Sequence, residues 1–276
     1  MDHTKRGIAL VINIRTYDDP NLKERKWSEQ DVVNLKKTLE YLEFKLKFYE
    51  NLKANEIEKK IQKIAKKDHT NSDCFLCVVM SHGNDDKIIA SDSEEISFEE
   101  IMKPIKDCET LKNKPKLFFF QACRGDKEME ANNHRPGSGV STKSGHEPDN
   151  KEEKTSLKMH APKQNTKQET EPKPKQRTKK DNEADLLVYC STIPDHYSFG
   201  NVAKGTLFIK SVCKEFKKAY KNLPNNMSLD DMIKNVNKRV KGSDMQLAET
   251  LDRFSATVYF KPKNVSFDFE ILLSLV

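Results

Sequence analysis

The stretch "KPKLFFFQACRGD" (Lys114–Asp126) decides the fold. Leu117 to Phe120 form an unbroken apolar run, bounded by Pro115 on one side and a polar turn on the other. Such a run suits a strand buried on both faces, as in a parallel sheet. The turn that follows carries Cys123, Arg124 and Gly125, so the strand delivers a thiol at its carboxyl end. In open parallel sheets functional groups gather at that end.

Working outward from this strand, apolar runs alternate with helical periodicity. "IALVINI" (Ile8–Ile14) and "CFLCVVMS" (Cys74–Ser81) are further buried strands, and "FKLKFYE" (Phe44–Glu50) is a shorter one. Between them, Val32, Leu35, Leu39 and Leu42 share one helical face, as do Ile57, Ile61 and Ile64. Ser28, with Asp31 three residues on, has the spacing of a capping box and predicts a helix start at Ser28. "SFEEIMKPI" reads as a short helix before the Cys123 strand. Later, "DLLVYCST" (Asp185–Thr192) and "FSATVYF" (Phe254–Phe260) predict strands. Thr206 and Ser228 are expected to cap helices with Ile209, Val212, Phe216 and Leu229, Met232, Val236, Val240 inward. The order is that of an α/β domain, a mostly parallel sheet flanked by helices on both faces.

Asp126 to Asn182 interrupts this order. The segment is rich in Lys, Glu, Gln, Thr, Asn and Pro and lacks aromatic residues. It cannot bury enough apolar surface to offset its ordering entropy, so it is expected to be a disordered connection. It also explains the net charge of +6, because Lys158 to Lys180 holds eight Lys or Arg against two Glu. The remainder is formally neutral, which argues against a dedicated nucleic-acid reader. No run approaches a membrane span and no signal peptide is visible, so a cytoplasmic, reducing setting is expected. Cys74 and Cys77 lie three apart on a strand and should face opposite sides, a poor metal or redox pair. No cofactor or metal is expected.

Two predicted strands end in reactive residues: "CVVMSHG" delivers His82 and "LFFFQAC" delivers Cys123. A lone cysteine at a strand end is ordinarily a small buried hydrophobe, and a lone histidine beside glycine ordinarily belongs to a turn. At equivalent ends of two strands they form a thiol with an imidazole base, a nucleophilic arrangement. Gly83, with little bulk, lets its N–H join that of Cys123 around an oxyanion.

"QACRG" (Gln121–Gly125) and "SHG" (Ser81–Gly83) resemble the cysteine and histidine motifs of the caspase family. "EADLLVYCSTIPDHYS" (Glu183–Ser198) and "GTLFIKSVC" (Gly205–Cys213) resemble the start of its small subunit and the helix that follows. The resemblance implies the caspase-haemoglobinase fold with a six-stranded sheet. Residues 1–125 would form the large-subunit region, 126–182 the inter-subunit linker and 183–276 the small-subunit region. It also implies an Asp-directed peptidase of cell death or inflammation, dimerising through the small-subunit edge with itself or another caspase. Cleavage of the linker would fall at Asp149 in "HEPDN" or at Asp181 in "KKDN". The family grips the substrate carboxylate with two arginines and a glutamine. Arg25 in "KERKWSEQDVVNL" and Gln121 match two of these. The third lies in a Ser-aromatic-Arg stretch, which here reads Ser198, Phe199, Gly200. Glycine cannot replace a planar guanidinium that reads a carboxylate bidentately. Two readings follow: a peptidase weakened at its specificity pocket, or a catalytically deficient homologue (a decoy) that regulates an active caspase. Retention of Cys123, His82 and Gln121 favours the first, and Gly200 the second. The start of the chain so near the first strand predicts a short-prodomain member.

Overall fold

The computed structural model describes residues 3–124, 184–194, 196, 200–201, 204–221, 227–242, 246–260 and 263. In chain order these form β1 (Ile8–Asn13), α1 (Ser28–Tyr41), β2 (Lys45–Glu50), α2 (Ala54–Ala65), β3 (Phe75–Met80), β4 (Gly83–Asn84), β5 (Lys87–Ile89), β6 (Glu95–Ser97), α3 (Phe98–Lys106) and β7 (Lys116–Gln121). There follow β8 (Leu186–Cys190), β9 (Gly200–Asn201), β10 (Gly205–Thr206), α4 (Leu207–Lys221), α5 (Leu229–Lys241) and β11 (Glu249–Asp252). The connection read as 126–182 lies outside the described residues.

Among the described residues the main sheet has six strands in the order β11-β8-β7-β3-β1-β2. β2, β1, β3, β7 and β8 pair in parallel, and β11 closes the edge antiparallel to β8. This is the mostly parallel α/β sheet that the apolar runs predict. Side chains alternate between its faces as a period of two requires. Val11, Val78 and Phe119 join the core beneath α1, α4 and α5, whereas Leu10, Val79 and Phe120 join the core beneath α2 and α3. Cys74 and Cys77 fall in opposite cores, so they make no pair. Three short strands, β4, β5 and β6, form a small antiparallel sheet beyond the end of β3. Their two- and three-residue lengths leave no periodic signal in the sequence.

Two expectations need correction. Ser28 does not cap α1: the helix already includes it, Trp27 takes the capping position, and no side chain caps the end. The Ser28 and Asp31 side chains are fully buried and taken by distant partners instead. Ser28 Oγ accepts from Asn13 Nδ2 at 3.1 Å, and Asp31 Oδ1 accepts from the Thr206 N–H at 2.8 Å. Phe254–Phe260 is not a strand of the sheet; Tyr259 makes an isolated bridge to Ser228. The sixth strand is Glu249–Asp252, an exposed edge whose polar sequence carries no apolar alternation. The alternation of Val258 and Phe260 arises from packing on the helical layer, where Phe260 lies 5.3 Å from Phe216 and 6.1 Å from Phe44. The other predicted caps are present: Thr206 Oγ1 accepts from Ile209 N and Ser228 Oγ from Asp231 N.

Phe119 sits in the central strand with Tyr189 and Phe216 at 5.8 and 5.9 Å, edge to face. Phe119→Ala is expected to lower the unfolding free energy by about 3–5 kcal/mol, the cost of an aromatic cavity. Leu251→Ala, on the edge strand and 44% exposed, should change it by no more than about 0.5 kcal/mol. Urea unfolding of the two variants checks the sheet order.

Candidate active site

β3 and β7 pair in register from Phe75 with Lys116 to Met80 with Gln121. The Ser81 N–H donates to the Gln121 carbonyl at 3.1 Å, so the pairing extends one residue past the strand. Continuing that register brings His82 alongside Cys123. The next residue confirms the approach. A Cβ on Gly83 would lie 2.5 Å from the Lys87 carbonyl oxygen and 3.0 Å from both Ala122 Cβ and the Cys123 carbonyl oxygen. Only a residue without a side chain lets the end of β3 close this tightly on the turn after β7.

Cys123 is half-buried, whereas Cys74, Cys77, Cys190 and Cys213 are buried. Burial pushes the Cys74, Cys190 and Cys213 thiols up to about 12, and the Cys77 thiol upward as well. Those four are held as inert thiols. His82 is half-buried beside Cys123, and its Nε2 lies 2.8 Å from the Lys23 carbonyl. A carbonyl can only accept, so this contact places the proton on Nε2 and leaves Nδ1 as the basic nitrogen. Burial lowers the His82 pKa, the Lys23 carbonyl raises it, and the Arg25 charge lowers it. The ring is therefore neutral and proton-accepting at neutral pH. Tyr17 steadies it: the rings lie 4.9 Å apart, and Tyr17 Oη accepts from the His82 N–H at 2.9 Å.

Arg124, next to the thiol, braces this turn. Its guanidinium donates to Asp86 Oδ1 and Glu249 Oε2, to the Asp85 carbonyl at 3.2 Å and to the Thr192 carbonyl at 3.3 Å. It thereby ties the Cys123 turn to the small sheet, to the end of β8 and to β11.

Arg25 is buried at the carboxyl end of β1, donating to the Ile14 carbonyl at 2.7 Å and to Asn13 Oδ1 at 3.3 Å. Burial lowers its pKa, opposed by the fields of Tyr17, Asp31 and Cys123. Gln121 is buried at the end of β7. Gly200 lies in β9, opposite Thr206 of β10. That hairpin is joined to α1 by Asp31, whose carboxylate accepts from Thr206 N–H. Gly205 has φ +73, and a Cβ there would sit 2.4 Å from Asp31 Oδ1, so the approach requires glycine. Cys123, His82, Gly83, Arg25, Gln121 and Gly200 thus belong to the carboxyl-end rim of the sheet and the hairpin anchored to it. Ser198, Phe199, Asp149 and Asp181 lie outside the described residues. Tyr17 and Arg124 carry no role in the sequence reading. Asp31 gave a signal, but one with the spacing of a helix cap.

Among the described residues no group of three or more His, Cys, Asp or Glu side chains could hold a metal ion. No helix there is long and apolar enough to cross a membrane.

The caspase-domain family model matches residues 6–260. The chain is 31% identical over 227 residues to Caspase-1 of Spodoptera frugiperda, covering 79% of this chain and 63% of that protein. It is 31% identical over 217 residues to Caspase drICE of Drosophila melanogaster, covering 78% and 55%. Caspase-6 of Gallus gallus is 38% identical over 130 residues, covering 46% and 42%. The chain thus spans about two fifths to two thirds of the length of these relatives. The crystal structure of Caspase-1 from Spodoptera frugiperda superposes with a TM-score of 0.73 at 26% identity, over 96% of this chain and 94% of that one.

Asp31 yields a test of the hairpin anchor. Burial pushes its carboxyl up to about 7 from 3.8, opposed by the Thr206 hydrogen bonds and the Arg25 charge. A folded pKa above the unfolded one means the unfolded chain loses this proton first, so stability falls as pH rises through the interval. Asp31→Asn keeps the Oδ1 acceptor and has no proton to lose. Between about pH 4 and pH 8 the parent should lose on the order of 4 kcal/mol more unfolding free energy than the variant. Denaturant unfolding across pH checks this; a parent-to-variant difference that is flat with pH contradicts it.

Proposed function

Because this chain belongs to the caspase family, we propose that it is a cysteine endopeptidase directed to Asp on the amino side of the scissile bond. The observation that carries the reading is the closing of Gly83 onto the Cys123 turn, which brings the imidazole-bearing and thiol-bearing strand ends together. In this reading His82 Nδ1 takes the Cys123 proton and the thiolate attacks the peptide carbonyl. The tetrahedral oxyanion is held by the N–H groups of Gly83 and Cys123. Collapse of that intermediate passes the proton from His82 to the leaving amine, giving a thioester that water hydrolyses.

In this reading Arg25 and Gln121 form the carboxylate-reading half of the pocket, and Ser198 and Phe199, outside the described residues, belong to the stretch that supplies the other half in the family. Gly200 supplies no charge where the family has arginine. Losing one partner of a buried charge pair costs about 2–5 kcal/mol. At ~1.4 kcal/mol per tenfold, that is roughly 30- to several-thousand-fold in rate. This deficit supports a second reading, a catalytically deficient homologue that pairs with an active caspase through the small-subunit edge and tunes it. Residues 1–125 and 183–276 act as the two subunit regions. The linker 126–182 is cut at Asp149 first, since Glu147 suits the family's preference two residues before the cleaved Asp, and at Asp181 second.

Purified protein assayed on Asp-P1 peptides tests the first reading. Cys123→Ala should abolish turnover, and His82→Ala should remove nearly all of it; substantial hydrolysis by Cys123→Ala displaces the nucleophile. Mass spectrometry of processed protein should find new amino termini after Asp149 or Asp181.

Gly200→Arg should raise kcat/KM for Asp over Asn at the cleaved position, recovering part of the estimated ~2–5 kcal/mol. A variant as stable as the parent by thermal unfolding, yet no faster on Asp substrates, would rule out the missing arginine as the cause of low activity.

A further inference from the structure

The neutral sum of charge outside the linker conceals an uneven distribution. α4 carries Lys210, Lys214 and Lys217 at the i, i+4, i+7 spacing that puts side chains on one helical face. With Lys204, from the β9–β10 hairpin, they line an open groove of about 480 Å³ between α4 and α1. Gln30 and Asn34 of α1 line the other side, joined by a 3.3 Å hydrogen bond from Gln30 Nε2 to Asn34 Oδ1.

Nothing among the described residues neutralises these four ammonium groups; none of them makes an ion pair there. The acids on the two helices are engaged elsewhere. Glu29 pairs with Arg15, Asp31 is buried against Thr206, and Glu215 is buried against Arg239. Glu40 stands in the last turn of α1, away from Gln30 and Asn34. Like charges one turn apart destabilise a helix, so packing does not call for this pattern. The groove begins at the hairpin that holds Gly200, since Lys204 directly precedes β10. From Lys210 to Lys217 the helix rises about 10 Å, the span of roughly three extended residues.

We infer that the α1–α4 groove is a secondary binding site for an acidic stretch of the protein substrate, flanking the residues held at the active site. Lys204, Lys210, Lys214 and Lys217 face the substrate's carboxylates, while Gln30 and Asn34 offer amide groups to its backbone. The inference rests on the peptidase reading for the identity of its partner. Clustered cations at the edge of a cleft raise the local concentration of an oppositely charged ligand and give binding a strong dependence on salt. Such a site offsets part of the grip lost at Gly200, because it holds the substrate through residues remote from the cut.

The test uses the full chain carrying Cys123→Ala, so that binding is read without turnover. Fluorescence anisotropy compares a peptide with an Asp-centred core, the same peptide with a hexaglutamate extension, and an oligothymidylate of equal charge. The extension should tighten binding about tenfold at low salt and lose most of that gain as salt screens it. The combined variant Lys210→Glu, Lys214→Glu, Lys217→Glu should erase the gain. Lys59→Glu, Lys63→Glu, Lys66→Glu, an equal charge change on and just after α2 across the sheet, should keep it. Should the triple variant fail to melt cooperatively, Lys214→Glu alone should reduce the gain about threefold.

Equal binding of the two peptides, a gain that survives in the groove variant, or an equal loss in the α2 variant overturns the inference. Tighter binding of the oligothymidylate than of the extended peptide overturns it in favour of a nucleic-acid surface. Failure of the core peptide to bind counts against the peptidase reading, whereas the extension's own contribution still reads the groove.

Discussion

Phe75–Met80 and Lys116–Gln121 pair in parallel, residue for residue, and both strands run into turns on the same side of the sheet. A parallel pair has no freedom to place its two carboxyl ends apart. Register therefore determines that whatever follows Met80 meets whatever follows Gln121. The glycine at position 83 lets the two ends approach so closely that a Cβ there would clash with Ala122 and Cys123. Both strands are buried on both faces between two helical layers, so a slip in register would exchange one core for the other along the whole strand. The stability of the domain and the geometry at the thiol are enforced by the same packing.

Around that pair, polar side chains serve as struts. His82 is oriented by the Lys23 carbonyl and by Tyr17, both reached from the connection after β1. Arg124 ties the thiol turn to β8, β11 and the small sheet. Asp31 holds the β9–β10 hairpin through one backbone N–H. Each strut joins segments far apart in sequence, and each fixes part of the rim where the strand ends and the hairpin meet. The burial that makes them rigid also shifts their titration, as Asp31 shows by moving toward neutrality.

In the proposed reading, binding divides between two regions of different character. The rim near Arg25 and Gln121 is buried, so a charge read there is little screened by solvent. The α1–α4 groove is open and lysine-rich, where each charge counts for less and several must act together. The hairpin carrying Gly200 and Lys204 stands at the boundary between them.

The sequence by itself determined the alternation of buried strands and amphipathic helices, because burial on two faces or on one leaves a period that composition cannot disguise. It also placed His82, Gly83 and Cys123 within three residues of the ends of two buried strands, and the ends of parallel strands share one rim. Tertiary structure decided the rest. Glu249–Asp252 became the last strand because an exposed edge needs backbone partners but no apolar face, so its sequence is silent. Phe254–Phe260 carried the apolar alternation of a strand because it packs on helices. Ser28 and Asp31 had the spacing of a helix cap, yet burial gave them partners 15 and 175 residues away. A local pattern records what a side chain can bond to; which partner it takes depends on what folding brings within reach.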